Sequence, residues 1–129
     1  MIKTAPTALV ADDHQGIRHL LSTIMGEIGC RVILAKDGFE AVEAVKKHRP
    51  DLVFLDVRMP LKSGLRALGE IKSISPETKV VIMTAYISNE VVSEAMEKGA
   101  LFCKSKPLDI EEIKVFLEKS FEEFFEKKG

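Results

Sequence analysis

Asp12-Asp13, Asp56, Thr84 and Lys106 are the side chains of this sequence whose types suit the handling of a phosphoryl group. Each alone has an ordinary explanation. Asp56 directly follows the apolar pair Phe54-Leu55, and Met59-Pro60 comes soon after. Proline lacks an N–H donor and restricts the residue before it, so regular structure stops there. A carboxylate in that position is a turn residue, a helix cap, a metal ligand or a nucleophile. If the three carboxylates meet, they repel, and some take up protons unless a cation is present. A hard, oxygen-loving ion such as Mg2+, with Mn2+ as a substitute, resolves the repulsion. A lysine on the other side adds a positive charge, and a threonine adds a hydroxyl donor. Charge neutralisation and positioning dominate phosphoryl transfer, and aspartate is an established nucleophile that forms an acyl phosphate.

Whether these residues meet depends on the elements that carry them. Apolar runs at residues 7–12, 31–35, 51–56 and 79–84, with a weaker one at 100–105, read as strands. Between them lie segments of helical period at 15–28, 37–49, 65–74, 88–98 and 109–126. Gly29 and Gly99 are placed as helix stops. The near-continuous apolar strands suit burial on both faces of a parallel sheet. Short connections imply right-handed crossovers with helices on both sides. The expected fold is a single doubly wound (βα)5 α/β domain, flavodoxin-like, with strand order 2-1-3-4-5. The expected domain spans residues 1–129.

The totals exclude other classes. A chain of 129 residues with 46% hydrophobic and 30% charged side chains has the make-up of one soluble domain. A formal charge of −1 offers no basic surplus for nucleic acid or for an anionic membrane. No run approaches a membrane span, the N-terminus lacks a signal-peptide design, and two cysteines are too few for a disulfide framework, so the expected setting is the cytoplasm. Cys30 and Cys103 lie beside strands two and five, opposite edges of the expected sheet. Four strand spacings separate them by roughly 19 Å, far beyond the roughly 7 Å limit for a disulfide.

In a parallel sheet the strands' carboxyl ends share one edge, where open α/β folds bind ligands. Asp12-Asp13, Asp56, Thr84 and Lys106-Pro107 all fall at or just beyond such ends. The switch point between strands one and three gathers the three aspartates around one crevice. The ordered set Asp12-Asp13, "DVRMPLKSG" (56–64), "MTA" (83–85) and "KP" (106–107) resembles the response-regulator receiver domain of two-component signalling. The resemblance implies that Asp56 accepts phosphate from a phosphohistidine of a sensor histidine kinase. It also implies that Asp12, Asp13, Asp56 and the backbone carbonyl of Arg58 hold the metal. Thr84 and Lys106 would contact the phosphoryl group, with a cis bond between Lys106 and Pro107.

The chain ends after its fifth helix, so it resembles receivers without an output domain, those of chemotaxis and of the sporulation phosphorelay. "GIR" (16–18), Tyr86 and "DIEEI" (109–113) look closer to the phosphorelay type, in which phosphate passes on to a histidine phosphotransferase or another effector. Such a protein is a self-phosphorylating switch with slow autodephosphorylation rather than a turnover enzyme, and a monomer or weak dimer is expected. Histidine-bearing partners would dock around Gln15, Ile17, Leu20 and Pro107. Two alternatives are a receiver cut from a longer transcriptional regulator and a haloacid-dehalogenase-like phosphatase. The second normally carries its nucleophile on the first strand in a D-x-D-x-T arrangement, which is absent here.

Some residues depart from the family pattern. Many receivers place an aromatic residue three positions before the lysine, where this chain has Cys103; strand alternation points the neighbouring Phe102 to the other face. Lys104 fits an edge strand that blocks unwanted pairing. Arg58 and Tyr86 stand at the two variable positions that influence water's access to the acyl phosphate. Bulky side chains there would shield it and lengthen its life. His14 reads as a surface residue opening a helix, since Mg2+ prefers oxygen, and His19 and His48 have no partners in sequence. The final helix carries an apolar stripe at Ile110, Ile113, Leu117 and Phe121 or Phe124. Phe116 and Phe125 do not fit one narrow stripe and read as a widened core face, the alternative being an exposed aromatic patch for a partner or a second copy.

Overall fold

The computed structural model of the protein describes residues 5–126, and side chains from residue 5 to residue 122. Five strands alternate with five helices: β1 Thr7–Ala11, α1 Gln15–Ile28, β2 Arg31–Ala35, α2 Gly38–His48, β3 Leu52–Asp56, α3 Gly64–Ile74, β4 Lys79–Thr84, α4 Asn89–Glu97, β5 Phe102–Ser105 and α5 Ile110–Glu126. All pairings are parallel, in the order β2-β1-β3-β4-β5. Period-2 alternation sends side chains to two helical layers. Leu9, Val53, Leu55, Val80 and Ile82 pack with Ala41, Val45, Leu68, Ile71 and Ala95 from α2, α3 and α4. Ala8, Val10, Phe54, Val81 and Met83 pack with Leu21, Ile24, Met25, Ile113 and Leu117 from α1 and α5.

The helix ends follow local chemistry. Asp37, Ser63 and Ser88 each turn a side-chain oxygen onto an early backbone N–H of α2, α3 and α4, as N-caps do. Gly29 and Gly99 have φ of 101° and 98°, left-handed values that glycine adopts without a Cβ penalty. The terminal residues expected within the helices at Asp37, Arg49, Ser88 and Lys98 are their caps.

Two expectations change and one holds. Burial on both faces holds for β1 and β3 and for β4 after Lys79, but β2 is an edge strand with Leu34 47% exposed. Ile110 is exposed and leaves the core stripe of α5, whereas Ile113, Leu117 and Phe121 are buried. Phe116 packs on the core, as the widened core face requires, edge-on to Phe102 at 5.0 Å and tilted on Phe54 at 6.1 Å between centroids. The readings of Phe124 and Phe125 lie outside the described side chains.

The loop after β3 is gripped from two helices. A Cβ on Gly64, the first residue of α3, would lie 1.9 Å from the backbone oxygen of Asp56. A Cβ on Gly38, the first residue of α2, would lie 2.0 Å from the backbone oxygen of Lys62. Neither site has room for a side chain.

Candidate functional site

Register brings the acidic residues together. Ala11 pairs with Leu55 across β1 and β3, and Asp56 pairs with Met83 across β3 and β4. Asp12 and Asp13 therefore leave β1 beside the end of β3. The main chain fixes this edge further: Asp12 N donates to Ala35 O, Val57 N to Met83 O, and Lys106 N to Thr84 O. Thr84 and Ser105 are partners across β4 and β5, so Lys106 leaves the sheet next to Thr84. Its bond to Pro107 is cis.

Lys106 Nζ lies 2.6 Å from Asp12 Oδ2 and 3.5 Å from Asp56 Oδ1. Asp12 is fully buried, and Asp56 and Thr84 nearly so, while Asp13 is exposed. One lysine thus serves two buried carboxylates, with the third close by. Burial pushes the Asp56 carboxyl above the ordinary carboxylate range, and the nearby Asp12 charge pushes it the same way. Lys106 opposes both without cancelling them, and Asp13 adds a smaller upward push. A group that resists ionisation in this way is matched to an added cation. Ligand atoms of Asp12, Asp13, His14 and Asp56 lie within 4.8 Å of one another, a donor set that fits a divalent ion.

The surrounding residues fall into two groups. Arg58 is exposed, and its guanidinium carbon lies 4.5 Å from the centroid of the Tyr86 ring. Tyr86 N donates to Thr84 Oγ1 at 3.1 Å. The three residues therefore join the loops after β3 and β4. Gln15 and Pro107 are exposed, whereas Ile17 and Leu20 are half-buried against the α1–α5 layer. Cys103 packs toward the α2–α4 layer and Phe102 toward the opposite one, as alternation requires. Lys104, on edge strand β5, pairs with Glu112 of α5. Both cysteines are free and pack in different layers. Burial raises both thiols, Cys30 to about 11.

His14 is the residue that sequence reasoning set aside. Although its side chain is 70% exposed, Nδ1 lies 3.1 Å from Asp12 Oδ1 and 3.2 Å from Asp13 Oδ1. Adjacency to the acidic pair was the only available signal. Which way the ring turned was not legible.

The sequence and the fold can be set beside known proteins. A family model described as the response regulator receiver domain matches residues 8–118. Sporulation initiation phosphotransferase F of Bacillus subtilis (strain 168) is 41% identical over 106 residues, covering 82% of this chain and 86% of that protein. Transcriptional regulatory protein ZraR of Escherichia coli (strain K12) is 41% identical over 112 residues; these cover 87% of this chain but 25% of ZraR. Among solved structures, the CheX–CheY–BeF3–Mg2+ complex from Borrelia burgdorferi superposes with a TM-score of 0.83 at 29% identity, covering 90% of this chain and 89% of that one.

Proposed function

The chain belongs to the response regulator receiver domain family, and on that premise we propose that it is a phosphoryl switch whose acceptor is Asp56. The observation that carries this reading is the charge imbalance at the sheet's carboxyl edge. Two buried carboxylates share one lysine among the described residues, Asp13 stands close by, and Asp56 resists ionisation. Asp12, Asp13, Asp56 and the Arg58 carbonyl would hold Mg2+, which when bound supplies positive charge against the transferring phosphoryl oxygens. A carboxylate oxygen of Asp56 attacks phosphorus. The P–N bond of the donor phosphohistidine breaks as the P–O bond forms, and the imidazole leaves with the electron pair. Lys106 and the Thr84 hydroxyl then donate to the phosphoryl oxygens.

Acyl-phosphate formation biases a two-state equilibrium in the loops after β3 and β4 and in α4, which a partner reads. The donor is a sensor histidine kinase, docking around Gln15, Ile17, Leu20 and Pro107 in the cytoplasm. The likeness to sporulation initiation phosphotransferase F supports a relay, with the phosphoryl group passed to a histidine phosphotransferase. The Arg58–Tyr86 stack, which joins the loops after β3 and β4, supports a long-lived acyl phosphate, because two bulky side chains there would limit water's approach. A domain complete in residues 1–129 is part of the same proposal.

Incubation of the whole chain with Mg2+ and acetyl phosphate tests the chemistry by intact mass. One phosphoryl group gained by the native protein and none by Asp56→Asn is the expected result. No gain by the native protein overturns the reading.

A further inference from the structure

The unexplained feature of this edge is His14. An imidazole that is 70% exposed is free to point into water, yet Nδ1 sits between two carboxylates of different residues. A charge-assisted hydrogen bond to either would be about 2.7–2.9 Å. The observed contacts are 3.1 and 3.2 Å, longer than that and nearly equal. Asp12 Oδ1 already accepts the backbone N–H of His14 at 2.9 Å, and Asp12 Oδ2 is taken by Lys106 at 2.6 Å. The single hydrogen of Nδ1 cannot serve both carboxylates well.

The same distances have another meaning. Neighbouring donors around an octahedral ion with bonds of about 2.1 Å stand √2 times that length apart, about 3.0 Å. Nδ1 of His14 meets that spacing with both Asp12 Oδ1 and Asp13 Oδ1. The acceptor Asp56 closes the cluster, with all four donor atoms inside 4.8 Å. An imidazole in such a face discriminates: it suits first-row transition ions, whereas Mg2+ is held by oxygen.

We propose that His14 is a nitrogen ligand that makes this site take a transition-metal dication, of the Co2+, Ni2+ or Zn2+ type, beside the Mg2+ of the switch. The inference rests on the phosphoryl-switch reading for the oxygen ligands and adds to them a selectivity determinant. Occupancy by such an ion would tie the state of the acceptor pocket to the supply of that metal.

Equilibrium titrations of the whole chain with Co2+ and with Mg2+, native against His14→Ala, test this. Loss of His14 is expected to weaken Co2+ binding about tenfold, the low end for losing a group that supports a metal site, and to leave Mg2+ affinity unchanged. Zn2+ should also shift the 15N resonance of Nδ1 in histidine-labelled protein, in the signal that His14→Ala removes. Equal changes for the two ions, no change for Co2+, or an unmoved Nδ1 resonance would each overturn the inference. A far-UV circular dichroism spectrum and a urea midpoint in EDTA close to the native chain's show that His14→Ala is folded, and Mg2+-dependent acylation of Asp56 by acetyl phosphate is read in the native chain. Failure of that acylation in the native chain would defeat the switch reading, and the Nδ1 shift would still report on His14.

Discussion

The two ends of the same sheet treat polar groups in opposite ways. At the amino end, Thr7 N donates to Asp51 Oδ2, Thr78 Oγ1 donates to Pro50 O at 2.8 Å, and the Ser75 and Thr78 hydroxyls meet at 2.6 Å. Thr78 and Ser75 are buried, and each has a partner from the loops around it. At the carboxyl end, buried Asp12 and Asp56 share one lysine, with Asp13 close by. One end is satisfied within the chain; the other is arranged for something to be added. A fold specified by the same alternating pattern therefore has a stabilising end and a working end. Charge balance distinguishes them where hydrophobicity does not.

The strongest way to break this comparison is at the acceptor. Asp56→Asn should abolish acylation by acetyl phosphate, and in EDTA it should raise the melting temperature by removing a buried charge. A lower melting temperature would mean that the carboxyl end is satisfied after all. Lys106→Met comes next, because it takes from the buried Asp12 its lysine partner and leaves only His14 against it. In EDTA it should cost about 3 kcal/mol in urea unfolding, as for other broken buried pairs, and saturating Mg2+ should recover part of that loss. Thr78→Val probes the opposite end. It should cost about 1–2 kcal/mol by taking from Pro50 O the hydroxyl that donates to it, while Ser75 Oγ keeps its bond to Glu77, with acylation unchanged and no recovery by Mg2+.

Proton linkage sharpens the contrast. The folded pKa of Asp56 is raised above its unfolded value, so the folded state binds the proton more tightly. In EDTA, stability is therefore favoured on the acid side of this titration and falls as pH rises through the ordinary carboxylate range to the raised value. Urea unfolding of Asp56→Asn should lack that decline. A native curve parallel to the variant's would contradict the assigned charge excess. The smallest effect belongs to the exposed stack. Arg58→Asn with Tyr86→Glu removes a contact worth about 0.5–1 kcal/mol, so acyl-phosphate hydrolysis should accelerate roughly two- to fivefold. A half-life unchanged from the native protein's would remove the shielding role.

Most of the architecture was legible because strand burial and helix period are local signals. The runs at 51–56 and 79–84 announced themselves as central strands, and Gly29 and Gly99 as helix stops. Side-chain choices made across the fold were harder to read. Ile110 fits the helical stripe by spacing but lies at the first residue of α5, where it stays exposed. Phe116 misses the narrow stripe and reads as a widening of the core face, but its partners Phe54 and Phe102 in the sheet were not legible. Of the site, strand ends alone gathered Asp12, Asp13, Asp56, Thr84 and Lys106. The turn of His14 onto the acidic pair and the stacking of Arg58 on Tyr86 depend on loop geometry, which spacing does not encode.

The hydrogen bond from Tyr86 N to Thr84 Oγ1 has a statistical consequence. A Thr84 that turns toward a phosphoryl group releases this contact, whose net worth is about 1 kcal/mol. Judged on that contact alone, the turned arrangement is disfavoured by a factor of about five. Roughly one molecule in six would then already hold it at rest. On the proposed reading, an incoming phosphoryl group would need only to tilt this modest preference, and the chain would respond by redistribution instead of by force.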